Sequence, residues 1–309
     1  MNETHRVDQG TAVTIGFFDG FHRGHQELVR RTVAWAAARS GRSVALTFDV
    51  NPREVLLKTG PWRYLTPLPQ KVALLQAAGL DEVVILPFTP DLAALPGDEF
   101  VRQVLQERLA ARHVVVGADF AFGRNRAWDA AALREFGLQH GFTVEVVPEI
   151  RGPNGPIRST SIRQLLESGQ VQAAAYLLGR PFSLTGKVVP GRQLGSSLGF
   201  PTANLQPDER QFYPPEGVFA VAVEVGPQIH RGVLNIGMKP TVAGTSRTLE
   251  VHLLDFSGDL YGRELTVFFL ERLRSERKFP SLEELRAAIA HDVERVRALP
   301  LQFPENMLQ

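Results

Sequence analysis

The chain has 309 residues, 44% of them apolar, and its 34 basic and 33 acidic side chains leave a net charge of +1. That length makes two domains the expectation, and the near-neutral balance supplies no global field for holding nucleic acid or an anionic membrane surface. There is no cysteine, which excludes disulfides, thiolate catalysis and Cys-ligated zinc together. Met1 to Gly10 is polar and carries no apolar signal core, and no apolar run approaches the ~18 residues that a membrane span requires. A soluble cytoplasmic protein is expected, with neither nucleic acid nor membrane as partner and its oligomeric state open, a homo-oligomer included.

The first half alternates strands with helices. The apolar run Ala12 to Phe18 predicts a buried strand that breaks at Asp19-Gly20, followed by a helix from Gln26 to Ser40. His22 and His25 lie in the turn between them, with Gly24 permitting close backbone approach. The free N–H groups and partial positive charge of a helix N-terminus suit phosphate. Imidazoles there can add hydrogen bonds to charge that develops on a transferred phosphoryl group. On the blander reading both histidines decorate a surface loop. Ser43 to Phe48 is a second strand, and its exit, carrying Asp49 and Asn51, presents polar groups where open parallel sheets place ligands. Helix Lys71 to Ala78, strand Glu82 to Phe88, amphipathic helix Asp98 to Arg112, strand His113 to Val116, helix Asp129 to His140 and strand Phe142 to Val147 follow. This alternation predicts a doubly wound, Rossmann-like parallel α/β sheet. Ser159 and Thr160 precede a helix from Ser161 to Leu178 that breaks at Gly169. Their hydroxyls can cap that helix, and Arg163 can pair with phosphate.

At Gly179-Arg180-Pro181 the pattern changes, so the domain boundary is placed between 180 and 181. Phe182 to Val189, Val218 to Val225, Gly232 to Ile236, Thr248 to Leu254 and Leu265 to Leu270 have period two and are separated by Gly and Pro turns. An antiparallel β-barrel follows from that pattern. A helix from Ser281 to Ala298 closes the chain, with Ser281 and Glu284 as a capping box. Within the barrel half, Thr202 and Asn204 stand two apart on an extended segment and point the same way, a reasonable pair of oxygen ligands for Mg²⁺. Leu249, Val251 and Leu253 predict an inward face, leaving Glu250 on the other, where a carboxylate near a substrate hydroxyl can act as general base. An ordinary exposed strand glutamate is the competing reading.

These segments carry a family resemblance. His22-Arg23-Gly24-His25 resembles the His-x-Gly-His signature of the nucleotidylyltransferase superfamily, and the longer Gly16-Phe17-Phe18-Asp19-Gly20-Phe21-His22-Arg23-Gly24-His25 resembles the form found in bacterial FAD synthetases. Gly117-Ala118-Asp119-Phe120-Ala121-Phe122-Gly123 is similar to the family's nucleotide-lining segment, and Ser159 to Arg163 to its Ser-Ser-Thr-x-Ile-Arg motif, with Arg158 in place of the first Ser. Val50 and Asn51 replace the family's Pro-His after the second strand. The second half resembles the riboflavin kinase module through Leu198-Gly199-Phe200-Pro201-Thr202-Ala203-Asn204, Gly217-Val218-Phe219-Ala220, Asn235-Ile236-Gly237, Glu250 to Phe256 and Gly258 to Gly262. Ser196 stands where a basic residue is usual, and Phe219 replaces the usual Tyr.

The resemblance implies a bifunctional transferase that phosphorylates riboflavin to FMN and adenylylates FMN to FAD, consuming two ATP. It implies His22 and His25 as catalytic groups, with Gly16, Phe17, Asp19, Gly24, Asp49, Asp119, Ser159, Thr160 and Arg163 around the nucleotide. In the barrel it implies Gly199, Pro201, Thr202 and Asn204 around ATP, Thr202 and Asn204 on Mg²⁺, and Glu250 as base. Two other readings stand beside it: an adenylyltransferase whose barrel only binds flavin, and a non-catalytic flavin-binding or regulatory protein. Gly195-Ser196-Ser197-Leu198-Gly199 fits a hydrolase elbow, but that elbow needs a helix directly after it, and Pro201-Thr202 before an extended run argues otherwise. No Walker A loop and no protein-kinase motif set occurs, so phosphoryl transfer must use other equipment.

Overall fold

The computed structural model describes residues 10–57, 62–191, 195, 198–241 and 244–300. Its contacts divide the chain into two compact units, one through Arg158 and one from Ser159 onward. That division falls earlier than 180/181. The helix Val171–Leu178 buries Val171, Ala174, Leu177 and Leu178 and packs on a strand of the barrel, so compactness groups it with the second half.

In the first unit, strands β1 (Thr11–Ile15), β2 (Arg42–Phe48), β3 (Glu82–Leu86), β4 (Ala111–Gly117) and β5 (Thr143–Val147) form a parallel sheet in the order β3-β2-β1-β4-β5. Helices α1 (Arg23–Ala37), α2 (Leu68–Ala77) and α3 (Ala130–His140) belong to this unit. Both faces of the sheet are covered, which is why the central strands read as continuous apolar runs. Alternate residues feed separate cores: Val44, Leu46, Val114 and Val116 pack with Leu105 and Leu133, while Ala45 and Val115 pack with Leu28, Val29 and Leu75.

Three local expectations need correction. β1 ends at Ile15, not Phe18, because Phe18 and Phe21 take left-handed backbone (φ 55° and 39°). The helix expected from Gln26 begins at Arg23, because His22 is its N-cap and accepts from the His25 N–H. The helix expected over Asp98 to Arg112 runs as Gly97–Phe100 and then a π-helical segment, Val101–Arg108, before Ala110 turns left-handed at φ 48° and β4 starts at Ala111.

The second unit opens with α4 (Ser159–Glu167) and α5 (Val171–Leu178), broken at Gly169 (φ 74°) as expected. Strands β6 (Ser183–Val189), β7 (Ala203–Pro207), β8 (Gly217–Val225), β9 (Gln228–Thr241), β10 (Gly244–Leu253) and β11 (Glu264–Arg274) close into an antiparallel barrel in the order β6-β7-β10-β9-β8-β11. β7 is the strand that the period-two pattern left uncounted. Leu234, Ile236, Leu249 and Val251 are buried, as are Phe219 and Phe269. A further cluster, Val218, Ala220, Val233 and Leu254, packs against Val293 and Val296 of α6 (Leu282–Ala298). Ser281 caps α6 by accepting from the Glu284 N–H at 3.2 Å.

Candidate functional sites

In the α/β unit the candidate groups gather where β1 and β2 end. His22 is 6% exposed, and its ring stacks on His25 at 3.6 Å between centres. His22 Nδ1 accepts from the His25 N–H at 3.4 Å, so the neutral ring carries its proton on Nε2, as a donor. A Cβ on Gly24 would lie 3.1 Å from the His22 ring, and one on Gly16 3.0 Å from the Phe18 ring. The absence of side chains there is what lets the turn fold this tightly. The Phe18 ring in turn meets His25 edge-on at 5.3 Å.

Several contacts hold this turn from outside it. Asp19 is buried and accepts from the Thr66 N–H at 3.2 Å, while Thr66 Oγ1 accepts from the Gly20 N–H at 2.6 Å. Asp49, at the β2 exit, accepts from the Val50 and Phe88 N–H groups, each at 2.8 Å. Lys71 of α2 donates to the carbonyls of Phe17 and Phe48, each at 3.0 Å. Burial pulls its pKa down to about 8, against the opposing charges of Asp19 and Asp49. Thr66 and Lys71 were not singled out in the sequence, because each lies ~45–55 residues from the turn it braces and carries no local motif. Asp119, after β4, is exposed, with a carboxylate oxygen 3.2 Å from where Gly117 would carry a Cβ.

Ser159, Thr160 and Arg163 belong to the second unit. Both hydroxyl residues sit inside the first turn of α4, which starts two residues earlier than the expected Ser161. The Arg163 guanidinium lies 5.2 Å above the centre of the Phe212 ring.

In the barrel, Asn204 of β7 stands directly opposite Glu250 of β10, and Glu250 stands opposite Asn235 of β9. Cross-strand partners project to the same side of a sheet, so amide, carboxylate and amide form one row. Leu249, Val251 and Leu253 are buried and Glu250 is half-buried, which places that row on the barrel's outer face. His252, two residues on, donates from Nδ1 to the Pro201 carbonyl at 2.8 Å and meets the Phe200 ring edge-on. It thereby ties the segment bearing Thr202 to the strand bearing Glu250. Gly199 turns that segment at φ 87°. A Cβ at Gly191 would lie 1.9 Å from Asn204 Nδ2, and one at Gly195 would lie 3.3 Å from Thr202 Oγ1. Bare backbone therefore lies against both candidate ligands.

The same row continues through Val218 to Arg274 at the end of β11. Arg274 pairs with Asp292 of α6 at 2.9 Å, and a cavity of about 350 Å³ opens there, lined by Arg277, Glu284 and His291 as well. Neither partner was visible as a site residue in the sequence, because α6 meets β11 only in the folded unit. Ser196 and Ser197 of the elbow-like motif lie outside the described residues; after it comes the barrel strand β7, not a helix. Ser275 to Lys278 is an exposed loop.

Comparison with known proteins fits both halves. The FAD synthetase family model matches residues 4–161 and the riboflavin kinase family model matches residues 178–299. A Pseudomonas fluorescens protein described as bifunctional riboflavin kinase/FMN adenylyltransferase is 42% identical over 94% of this chain and 93% of its own. A protein of the same description from Escherichia coli K12 is 38% identical, again over 94% of this chain and 93% of its own. A crystal structure described as a macrolide-efflux protein from Streptococcus pneumoniae superposes with a TM-score of 0.89 at 32% identity, over 94% of this chain and 95% of that one; the fold is what the two share. Among the described residues no helix is long and apolar enough to cross a membrane. With a parallel nucleotidyltransferase-like sheet followed by a closed six-strand barrel, and relatives of one description along nearly its whole length, the chain belongs to the bacterial bifunctional riboflavin kinase/FMN adenylyltransferase family.

Proposed function

We propose that the two activities of this transferase are housed separately, adenylylation in residues 1–180 and riboflavin phosphorylation in residues 181–309. The observation that carries this reading is the row Asn204–Glu250–Asn235 on the barrel, built without any residue of the histidine turn. Chemistry then divides at 180/181 although compactness divides at 158/159, since Ser159, Thr160 and Arg163 serve the adenylyl site by resemblance while α4 belongs to the second unit. A barrel that merely binds flavin is not favoured, because that half matches riboflavin kinase in its own right.

In the barrel, Glu250 takes the proton of the ribityl 5′-hydroxyl as its oxygen attacks the γ-phosphate of ATP, and ADP leaves. Among the described residues no group of three His, Asp or Glu could hold a metal. Mg²⁺ is commonly held by one or two protein oxygens together with substrate phosphates. The Thr202 hydroxyl and the Asn204 amide oxygen, approached by the bare backbone of Gly191 and Gly195, fit that role. When bound, Mg²⁺ offsets the charge of the ATP phosphates.

In the α/β site the FMN phosphate attacks the α-phosphorus of ATP and pyrophosphate leaves, with no covalent enzyme intermediate. His22 Nε2–H, His25 and the N-terminus of α1 face the developing negative charge, and the resemblance assigns Arg163 to the ATP phosphates. Gly16, Phe17, Asp19, Gly24, Asp49, Asp119, Ser159 and Thr160 shape the nucleotide site, and Gly199 and Pro201 the ATP site of the barrel. The protein works in the cytoplasm on small molecules, with no nucleic acid or membrane partner. Incubation with riboflavin, ATP and Mg²⁺ followed by chromatography tests the assignment: FAD is expected, and either FMN accumulation alone or no product overturns it.

A further inference from the structure

Lys71 is 1% exposed, yet it belongs to none of the motifs above. Its ammonium bridges two strand ends. Phe17 follows β1 and Phe48 ends β2, and Nζ donates to both carbonyls at 3.0 Å while lying 4.0 Å over the Phe17 ring. The β1–β2 ladder runs out at Ile15–Leu46, with one further bond from the Gly16 N–H to the Leu46 carbonyl. Beyond that point Thr47 Oγ1 of β2 donates to the Phe17 carbonyl at 3.3 Å, and Lys71 joins that carbonyl to the one at the end of β2.

The turn that starts at Phe17 is strained. Phe18 and Phe21 both occupy left-handed backbone, which L-residues with large side chains rarely adopt and which persists only when the surroundings over-determine it. Thr66 fixes the middle of the turn through Gly20 and Asp19; at its start the Phe17 carbonyl takes the Thr47 hydroxyl and the Lys71 ammonium, and of the two Lys71 alone reaches on to Phe48. A methionine or leucine would fill the same core position without stripping water from a charge. Burial does oppose the charged form here, with Asp19 and Asp49 the charges that support it.

We propose that Lys71 is a positioning residue for adenylylation: by tying the Phe17 and Phe48 carbonyls it sets the turn that aims His22 and His25. This rests on the reading that those histidines face the reacting phosphate. The full chain supplies its own control, since the kinase reaction uses none of these groups.

The test compares Lys71→Met, Lys71→Arg and Leu75→Ala with wild type, Leu75 being a buried residue of the same helix whose side chain has no donor for either carbonyl. Lys71→Met is expected to lower kcat for FMN to FAD by about 10²-fold, the effect of a small misplacement of catalytic groups. KM for ATP and FMN should stay close to wild type, and so should the kinase rate. Lys71→Arg, which keeps charge and donors, should recover part of the lost kcat. Leu75→Ala should lower the melting temperature and leave kcat in place. A folded Lys71→Met with wild-type kcat overturns the proposal, as does an equal kcat loss in Leu75→Ala, which would make the effect one of helix stability. Should Lys71→Met not fold, Lys71→Gln, which retains N–H donors without charge, is read against the same two outcomes. Wild type that forms no FAD from FMN overturns the underlying assignment instead, and is told apart by needing no variant.

Discussion

Asn204 and Glu250 face each other directly across adjacent antiparallel strands, on the outer side of the barrel. Partners in such a pair have Cβ atoms about 5 Å apart. A group held by the Asn204 amide therefore lies within reach of the Glu250 carboxylate, the geometry that the proposed kinase step requires.

Glu250→Gln keeps the shape of that row and removes the proposed base. FMN formation should fall by about 10²–10⁴-fold, while supplied FMN still becomes FAD. Normal riboflavin phosphorylation by the variant would remove Glu250 from the role of base.

Gly191→Ala tests the covering of Asn204. The added methyl would sit 1.9 Å from Asn204 Nδ2, so the amide must move. Overpacking of this kind typically costs about 1–3 kcal/mol, and the expected reading is a raised KM for MgATP in the kinase step only. Unchanged kinetics would show that the amide has room to shift without consequence.

The histidine pair should be taken apart one residue at a time. His22 is the N-cap of α1, so His22→Ala combines a catalytic loss with a capping loss of about 1 kcal/mol. His25→Ala leaves the cap side chain in place and isolates the chemistry. Each should reduce FAD formation by about 10²–10³-fold, as loss of a preorganised donor does, and leave FMN formation near normal. Full FAD output from a folded His25→Ala protein would return that ring to the loop-decoration reading.

Fragments separate compactness from chemistry. Residues 181–309 retain Thr202, Asn204 and Glu250 and should phosphorylate riboflavin alone. Residues 159–309 should do so with a higher melting temperature, because Val171, Leu177 and Leu178 are buried in that unit and each such side chain contributes about 1.5–3 kcal/mol. Equal melting temperatures would show that α4 and α5 add nothing to the barrel.

Acid should weaken the α/β unit through His113. Its ring stacks on Trp35 at 4.8 Å, meets Thr143 Oγ1 at 2.7 Å and lies 3.4 Å from Glu145. Burial depresses its pKa below the ordinary imidazole value, with Glu145 pulling the other way. The folded state then binds this proton less readily than the unfolded chain does. Its contribution is fully present above pH ~6.5 and is lost as pH falls through the folded pKa. Thermal melts between pH 7.5 and 5 should fall more steeply for wild type than for His113→Gln; parallel slopes would exclude His113 as the source.

Much of this protein was determined by its sequence alone. Continuous apolar strands alternating with helices require both sheet faces to be covered, and period-two runs between Gly and Pro turns point to an antiparallel sheet with one face in a core, because these are properties of neighbouring residues. The positions proposed to carry the chemistry, His22, His25, Thr202, Asn204 and Glu250, could be singled out for the same reason, each lying in a short motif. Tertiary structure decided the rest. His22 as a helix cap started α1 at Arg23 rather than Gln26, and left-handed Phe18 and Phe21 cut β1 short. Compactness moved α4 and α5 to the barrel, since burial of Val171 and Leu178 depends on a surface that no local pattern announces. The register that sets Asn204 against Glu250 comes from closing strands 46 residues apart, and the Lys71 bridge joins carbonyls 54 and 23 residues away. Such contacts are paid for in loop closure and repaid by burial, and neither quantity is written in a stretch of adjacent residues.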